Sequence, residues 1–292
     1  MKLAYLILCH KEPEQINMLL QELIADGSDC YIHIDKKSSM SKDQLISSEH
    51  ILFVPDERRV DIRWAANTMV RATLELLEVL IKGKRLYDYV CLLSGQDFPI
   101  KSSQYRSSFL QKNKGYNFIE VLSHEEYKYK RYNKRSLLYF PSFVYKSTFL
   151  AKAIRKLIIL STGGYTRTLN LFVRKNKSGV KFEYGSQWWC LTYECVLWMM
   201  DYIKNRVNVD YFDHALTPDE CFFQSVFMMS PFKGLRKDRI MYLEWAENEN
   251  NPRILRSEDY EMLVSCSDKL FARKFDIRVD QSIFEKLKET GK

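Results

Sequence analysis

The first 120 residues alternate between short, unbroken apolar runs and longer stretches whose apolar residues recur every three or four positions. That alternation restricts the fold more than any other feature. Residues 3–9 form a continuous apolar run, and 13–25 then place Ile16, Leu19, Leu20 and Leu23 on one helical face. Residues 30–34 and 51–54 read as further short strands. Residues 67–81 read as a helix with Met69, Val70, Leu74, Leu77 and Leu80 on its apolar side, and 89–93 and 117–120 as strands around a helix near 104–111. Strands that are apolar throughout, joined by helical crossovers, belong to parallel sheets buried on both faces. The expected class is therefore α/β, a mainly parallel twisted sheet with helices on both faces. Ligands of such sheets bind beyond the carboxyl ends of the strands. His10–Lys11, Asp35–Lys37, Ser94–Asp97 and Glu120 occupy those positions.

The stretch from about 123 to 177 is different, rich in Tyr, Lys and Arg and without strand alternation. It reads as an insertion carrying a basic amphipathic helix near 149–160, so that 1–292 is a single domain with an embedded insertion. The helix is expected to pack its apolar face on the domain; lying on an anionic membrane is the alternative. Regular structure should resume at 182–192, followed by a helix from Glu194 to about Lys204 and another starting at Thr217.

With 46% hydrophobic, 28% charged and 14% aromatic residues, the chain is globular rather than disordered or fibrous. Its net charge of +8 calls for an anionic partner. Seven cysteines without C-x-x-C spacing argue against a disulfide framework or a zinc site, and for a reducing compartment. The apolar N-terminus lacks a small-residue cleavage site and reads as a first buried strand. No apolar stretch reaches the roughly 18–20 residues of a membrane span. The expected location is the cytoplasm or the inner face of the membrane. There is no G-x-G-x-x-G, no Walker loop, no metal-ligand spacing among the five histidines, and no Asp-x-Asp for holding a divalent ion.

Four segments could carry chemistry. Asp35, in YIHIDKK (31–37), could accept hydrogen bonds from a nucleotide or could simply open a turn. In CLLSGQDFPIKS (91–102), Gly95 would let a ligand or another backbone come close; on the residues alone a strand–turn–helix junction is favoured. Thr217-Pro218-Asp219-Glu220 precedes an apolar helix. Taken alone, it favours a capping box in which Glu220 reaches back to the Thr217 amide, over a general base at the helix start. Arg253, Arg256, Arg273 and Lys274 form a late basic group. Two such cations could clamp a diphosphate, although surface charge accounts for any single one.

Nine segments in order, ILCHK (7–11), IHIDKK (32–37), RWAANTMVRATL (63–74), LSGQDFPIK (93–101), FIE (118–120), YGSQWW (184–189), TPDECFF (217–223), MYLEW (241–245) and LFARKFD (270–276), resemble the core-2/I-branching family of β-1,6-N-acetylglucosaminyltransferases, which includes the peptide O-xylosyltransferases. IHIDKK, LSGQDFPIK and TPDE carry most of the specificity. The resemblance implies a GT-A-like nucleotide-sugar fold and inverting transfer from a UDP-sugar, with no metal and no cofactor. It reverses the balance at TPDE, because the family's Glu in that motif is the catalytic base and falls on Glu220. It assigns the diphosphate to Lys274 and to an upstream arginine, Arg253 or else Arg256. Asp35 is implied to bind the nucleotide, with Ile7 and His10 lining the same end. Glu120, Lys128 and Arg131 reproduce the spacing of the family's sugar-contacting Glu, Lys and Arg, and Trp245 falls on an acceptor-site tryptophan. The pattern departs at Asp61, where the family has a nucleotide-site tyrosine, and again after Trp245.

The implied donor sugar is N-acetylglucosamine first and xylose second; the implied acceptor is a glycan or lipid-linked saccharide, with peripheral membrane contact an accompanying expectation. The competing reading is a nucleic-acid-binding module built on YKYKRYNKR (127–135), whose rings and cations could stack bases and contact phosphates. No RNA- or DNA-binding motif accompanies that stretch, and a nucleic-acid partner is not expected.

Overall fold

The computed structural model describes residues 1–123, 125–126, 135–139, 148–164, 168, 172–245 and 252–290. Among these, ten strands form two sheets: β1 (Leu3–Cys9), β2 (Asp29–Ile34), β3 (Ile51–Phe53), β4 (Tyr89–Ser94), β5 (Asp97–Pro99), β6 (Asn117–Ile119), β7 (Trp189–Thr192), β8 (Arg236–Lys237), β9 (Met241–Leu243) and β10 (Phe271–Arg273). The larger sheet runs β3-β2-β1-β4-β7-β6-β8 and the smaller β5-β10-β9. The four strands from β3 to β4 are mutually parallel; β7 is antiparallel to both β4 and β6. The described helices are α1 (Pro13–Ile24), α2 (Thr68–Lys82), α3 (Ser103–Lys112), α4 (Phe149–Ser161), α5 (Tyr193–Arg206), α6 (Phe222–Met229), α7 (Tyr260–Ser265) and α8 (Ser282–Thr290).

The order of the first strands positions the site. α1 carries the chain from β1 outward to β2, whereas α2 returns it from β3 past β1 to β4 on the other side. Right-handed crossovers that travel in opposite directions put α1 and α2 on opposite faces of the sheet. All seven residues of β1 are therefore buried, which is why that run is apolar throughout. α1 buries Ile16, Leu19, Leu20 and Leu23, as its spacing predicts. The reversal of direction opens a crevice between the carboxyl ends of β1 and β4.

Several expectations require correction. The turn at Ser94–Asp97 leads into β5, an antiparallel partner of β10, and so links the two sheets instead of opening a helix. Of the regular structure expected at 182–192, Trp189–Thr192 forms a strand. Pro218–Glu220 is an isolated 3-10 turn, and α6 begins at Phe222. α4 leaves its apolar face uncovered: Phe149, Leu150, Leu157 and Leu160 are at least 65% exposed. All seven cysteines are free and six are buried. No described helix is long and apolar enough to cross a membrane.

Candidate active site

The carboxyl ends of β1, β2 and β4 open on a cavity of about 110 Å³. β1 contributes Leu8, Cys9, His10 and Lys11, β2 contributes Asp35, and β4 contributes Ser94, Gly95 and Gln96. These are the strand-end positions that the alternation predicts. The opposite walls are Ile62 and Met69, Gln187 and Trp188, and Arg273 from the end of β10. Gly95 is closely packed: a Cβ there would lie 3.1 Å from both Cys9 Cβ and Ile16 Cγ1, so those side chains would have to shift.

Asp35 both closes a turn and lines the cavity. Its Oδ1 accepts from the amides of Lys37 (3.1 Å) and Ile62 (3.2 Å), and its Oδ2 lies 3.6 Å from Lys37 Nζ. The same ammonium is 3.6 Å from Asp61, so the position where the family pattern breaks is tied to Asp35 through Lys37.

Cations gather on the other side. Lys11 pairs with Asp276 at 2.6 Å. Burial alone would raise the Asp276 carboxyl, but the Lys11 ammonium and the Arg278 amide hold it below the usual range. Arg273 Nη1 donates to Ser94 Oγ (2.6 Å) and Asp97 Oδ1 (2.7 Å), and its guanidinium lies 4.4 Å from the Trp188 ring centroid. Burial keeps Asp97 raised in spite of that guanidinium. Lys274 follows. Desolvation, then Arg273 and Lys11, push its ammonium below the ordinary lysine value, with Asp276 opposing, and no ion-pair partner holds it among the described residues. Desolvation and then Lys11 likewise push His10 down, with Lys274 and Lys37 adding to the effect.

Glu220 does not form a capping box. Thr217 sits in the left-handed region at φ 46°, and its amide donates to the Ala65 carbonyl at 2.9 Å. A β-branched residue in that region costs on the order of 1–3 kcal/mol. The Glu220 carboxylate instead accepts from Arg135 at 3.0 Å, and Arg135 also reaches Thr217 Oγ1 at 3.1 Å. The Glu220 carbonyl accepts the Gly185 amide at 2.9 Å, two residues before the cavity wall at Gln187. Gly185 has no room for a side chain, because a Cβ would collide with the Glu120 carbonyl. One glycine thus separates Glu120, whose carboxylate pairs with Arg239, from Glu220. Next to Glu220, Asp219 has its Oδ1 buried without a hydrogen-bond partner among the described residues. Burial, reinforced by the Glu220 charge, pushes the Asp219 carboxyl up to about 7.

The remaining candidates lie elsewhere. Ile7 is wholly buried inside β1, and it is Leu8, Cys9 and His10 that reach the cavity. Arg253 is next to Lys274 through the backbone, but its guanidinium is held by Asp259 (2.7 and 3.0 Å) and Glu244 (2.7 Å). Arg256 is exposed. Of the late basic group, Arg273 is the arginine that lines the cavity. Trp245 is 54% exposed beyond β9, and Lys128 and Arg131 lie outside the described residues. Gln187, Trp188, Arg135 and Asp219 were not singled out from the sequence. The first two stand in the YGSQWW segment, which could have pointed to them; Arg135 is indistinguishable from the cations preceding it. Among the described residues, no three His, Cys, Asp or Glu side chains gather where they could hold a metal ion.

A family model described as Core-2/I-Branching enzyme matches residues 3–264. Xylosyltransferase oxt of Drosophila pseudoobscura pseudoobscura is 24% identical over 300 residues, covering 94% of this chain and 31% of that protein. Xylosyltransferase 2 of Rattus norvegicus is 24% identical over 97% of this chain and 33% of its own length. The beta-1,3-galactosyl-O-glycosyl-glycoprotein beta-1,6-N-acetylglucosaminyltransferase 4 of Danio rerio is 23% identical over 98% of this chain and 69% of its own length. The chain spans about a third of the xylosyltransferases it matches.

Proposed function

Because the chain belongs to the Core-2/I-branching enzyme family, we propose that it is a glycosyltransferase of GT-A-like fold that moves a sugar, N-acetylglucosamine before xylose, from a UDP-linked donor to a hydroxyl of a glycan or lipid-linked saccharide. The names of its relatives support both sugars. The observation that carries the reading is the two-sided cavity at the strand ends, with a buried carboxylate, Asp35, on one side and the cations Lys11 and Arg273 on the other, Lys274 following Arg273 in the chain.

The chemistry follows from that arrangement. Asp35 would hold the nucleoside. Burial first, and then the neighbouring Arg273 and Lys11, lower the pKa of Lys274, so the negative charge of an arriving diphosphate would offset them and restore its proton affinity. Lys274, Lys11 and Arg273 would then stabilise the charge that develops on departing UDP, in place of a divalent ion. Glu220 would take the proton from the acceptor hydroxyl as its oxygen attacks the anomeric carbon opposite UDP, which inverts the anomeric centre. Arg135 holds that carboxylate in position until an acceptor hydroxyl competes for it. Glu120, across Gly185, would contact the acceptor sugar.

The test is UDP release from a panel of UDP-sugars in excess EDTA. Release from one donor, UDP-N-acetylglucosamine first, is the expected result. If no UDP-sugar is turned over, the reading is wrong; if EDTA stops turnover and Mn²⁺ restores it, the cations do not replace a metal.

A further inference from the structure

The net charge of +8 is confined to one stretch of the chain. Between Tyr127 and Phe182 the sequence holds 14 of the 45 lysines and arginines and none of the 37 acidic residues, which leaves 31 cations against 37 carboxylates elsewhere. Within that stretch stands α4. Its Phe149, Leu150, Leu157 and Leu160 are 89%, 68%, 65% and 66% exposed, and Ile154 is 37% exposed. At about 100° per residue these five side chains fall within roughly 140° of the helix circumference. Lys152 and Lys156 border that arc and are exposed, whereas Arg155, Ile158 and Ile159 are half-buried.

We propose that α4 is a membrane-surface anchor, its apolar arc inserted among the acyl chains of an anionic phospholipid bilayer and its cations against the headgroups. A helix that half-buries Ile158 and Ile159 but leaves Phe149, Leu150, Leu157 and Leu160 at least 65% exposed is not explained by packing on its own domain. Charge selects the occupant: a stretch without a single carboxylate complements a surface with a fixed negative potential, and the exposed aromatic and aliphatic side chains of α4 suit an acyl layer. The helix is too short to span and would lie in the plane of the interface. The inference does not depend on the donor chemistry.

The experiment is flotation of the full chain with vesicles of phosphatidylcholine alone and of phosphatidylcholine mixed with phosphatidylglycerol. The protein is expected to float with the mixed vesicles only and to be released by salt. Leu157→Glu with Leu160→Glu should abolish flotation, and Lys152→Glu with Lys156→Glu should weaken it by at least roughly fivefold per cation. Both pairs should leave the thermal melt unchanged, which separates lost binding from lost folding. The proposal falls if the protein ignores anionic vesicles, if the leucine variant floats as well as the parent, or if oligonucleotides capture the stretch and vesicles do not. It also falls if the protein forms a dimer that the leucine substitutions dissociate, because the face then belongs to a second copy.

Discussion

At Glu220 two readings of one motif compete for the same carboxylate oxygens, and the backbone of Thr217 separates them. Its left-handed conformation sends the amide to Ala65, so the carboxylate has no cap to make. Residue chemistry alone could not reveal this, because the capping box has the right residues at the right spacing and fails only through a dihedral angle set by a distant segment. Glu220→Gln is expected to lower kcat by ~10²–10⁴ while UDP affinity is retained; near-parental turnover in steady-state assays would remove Glu220 from the base role. Asp219 yields a prediction about stability. Its folded-state value of about 7 stands above the ordinary 3.8, so between those values the folded chain holds a proton that the unfolded chain releases. Its contribution to stability therefore falls as pH rises through that window and is level above it. Asp219→Asn should flatten this slope in thermal melts collected across the window, with its gain growing through the window and staying level above it.

Elements were legible in proportion to their periodicity. β1, α1, β2, α2 and β4 follow from apolar spacing to within a residue or two because each is buried on a face that the pattern records. The small sheet was not legible. β5, β9 and β10 are three residues each, too short for any period, and exist by pairing with one another. That sheet ends in Arg273, and Lys274 follows, so the least readable element supplies the cationic side of the cavity. Arg253, named from the family resemblance, has its guanidinium committed to Asp259 and Glu244, while Arg273 lines the cavity. Lys274→Ala should weaken UDP binding by about 10- to 100-fold, the loss of one charge-assisted contact, with little change in melting temperature. Calorimetric titration with UDP decides it, and undiminished affinity would exclude Lys274 from the diphosphate site.

For the molecule as a whole, the strand order could be anticipated in kind but not in detail: an α/β sheet was readable, the antiparallel insertion of β7 between β4 and β6 was not. The charge was readable as a sum but not as a map. The Lys11–Asp276 pair joins residues 265 positions apart, and the family match ends at residue 264, before Arg273 and Lys274. Asp35 and Lys11 are therefore synthesised long before Arg273 and Lys274. Under the proposed function, a chain cut before Leu270 would keep Asp35 and Lys11 at the cavity but lose Arg273 and Lys274, and with them most of the charge meant for a leaving diphosphate.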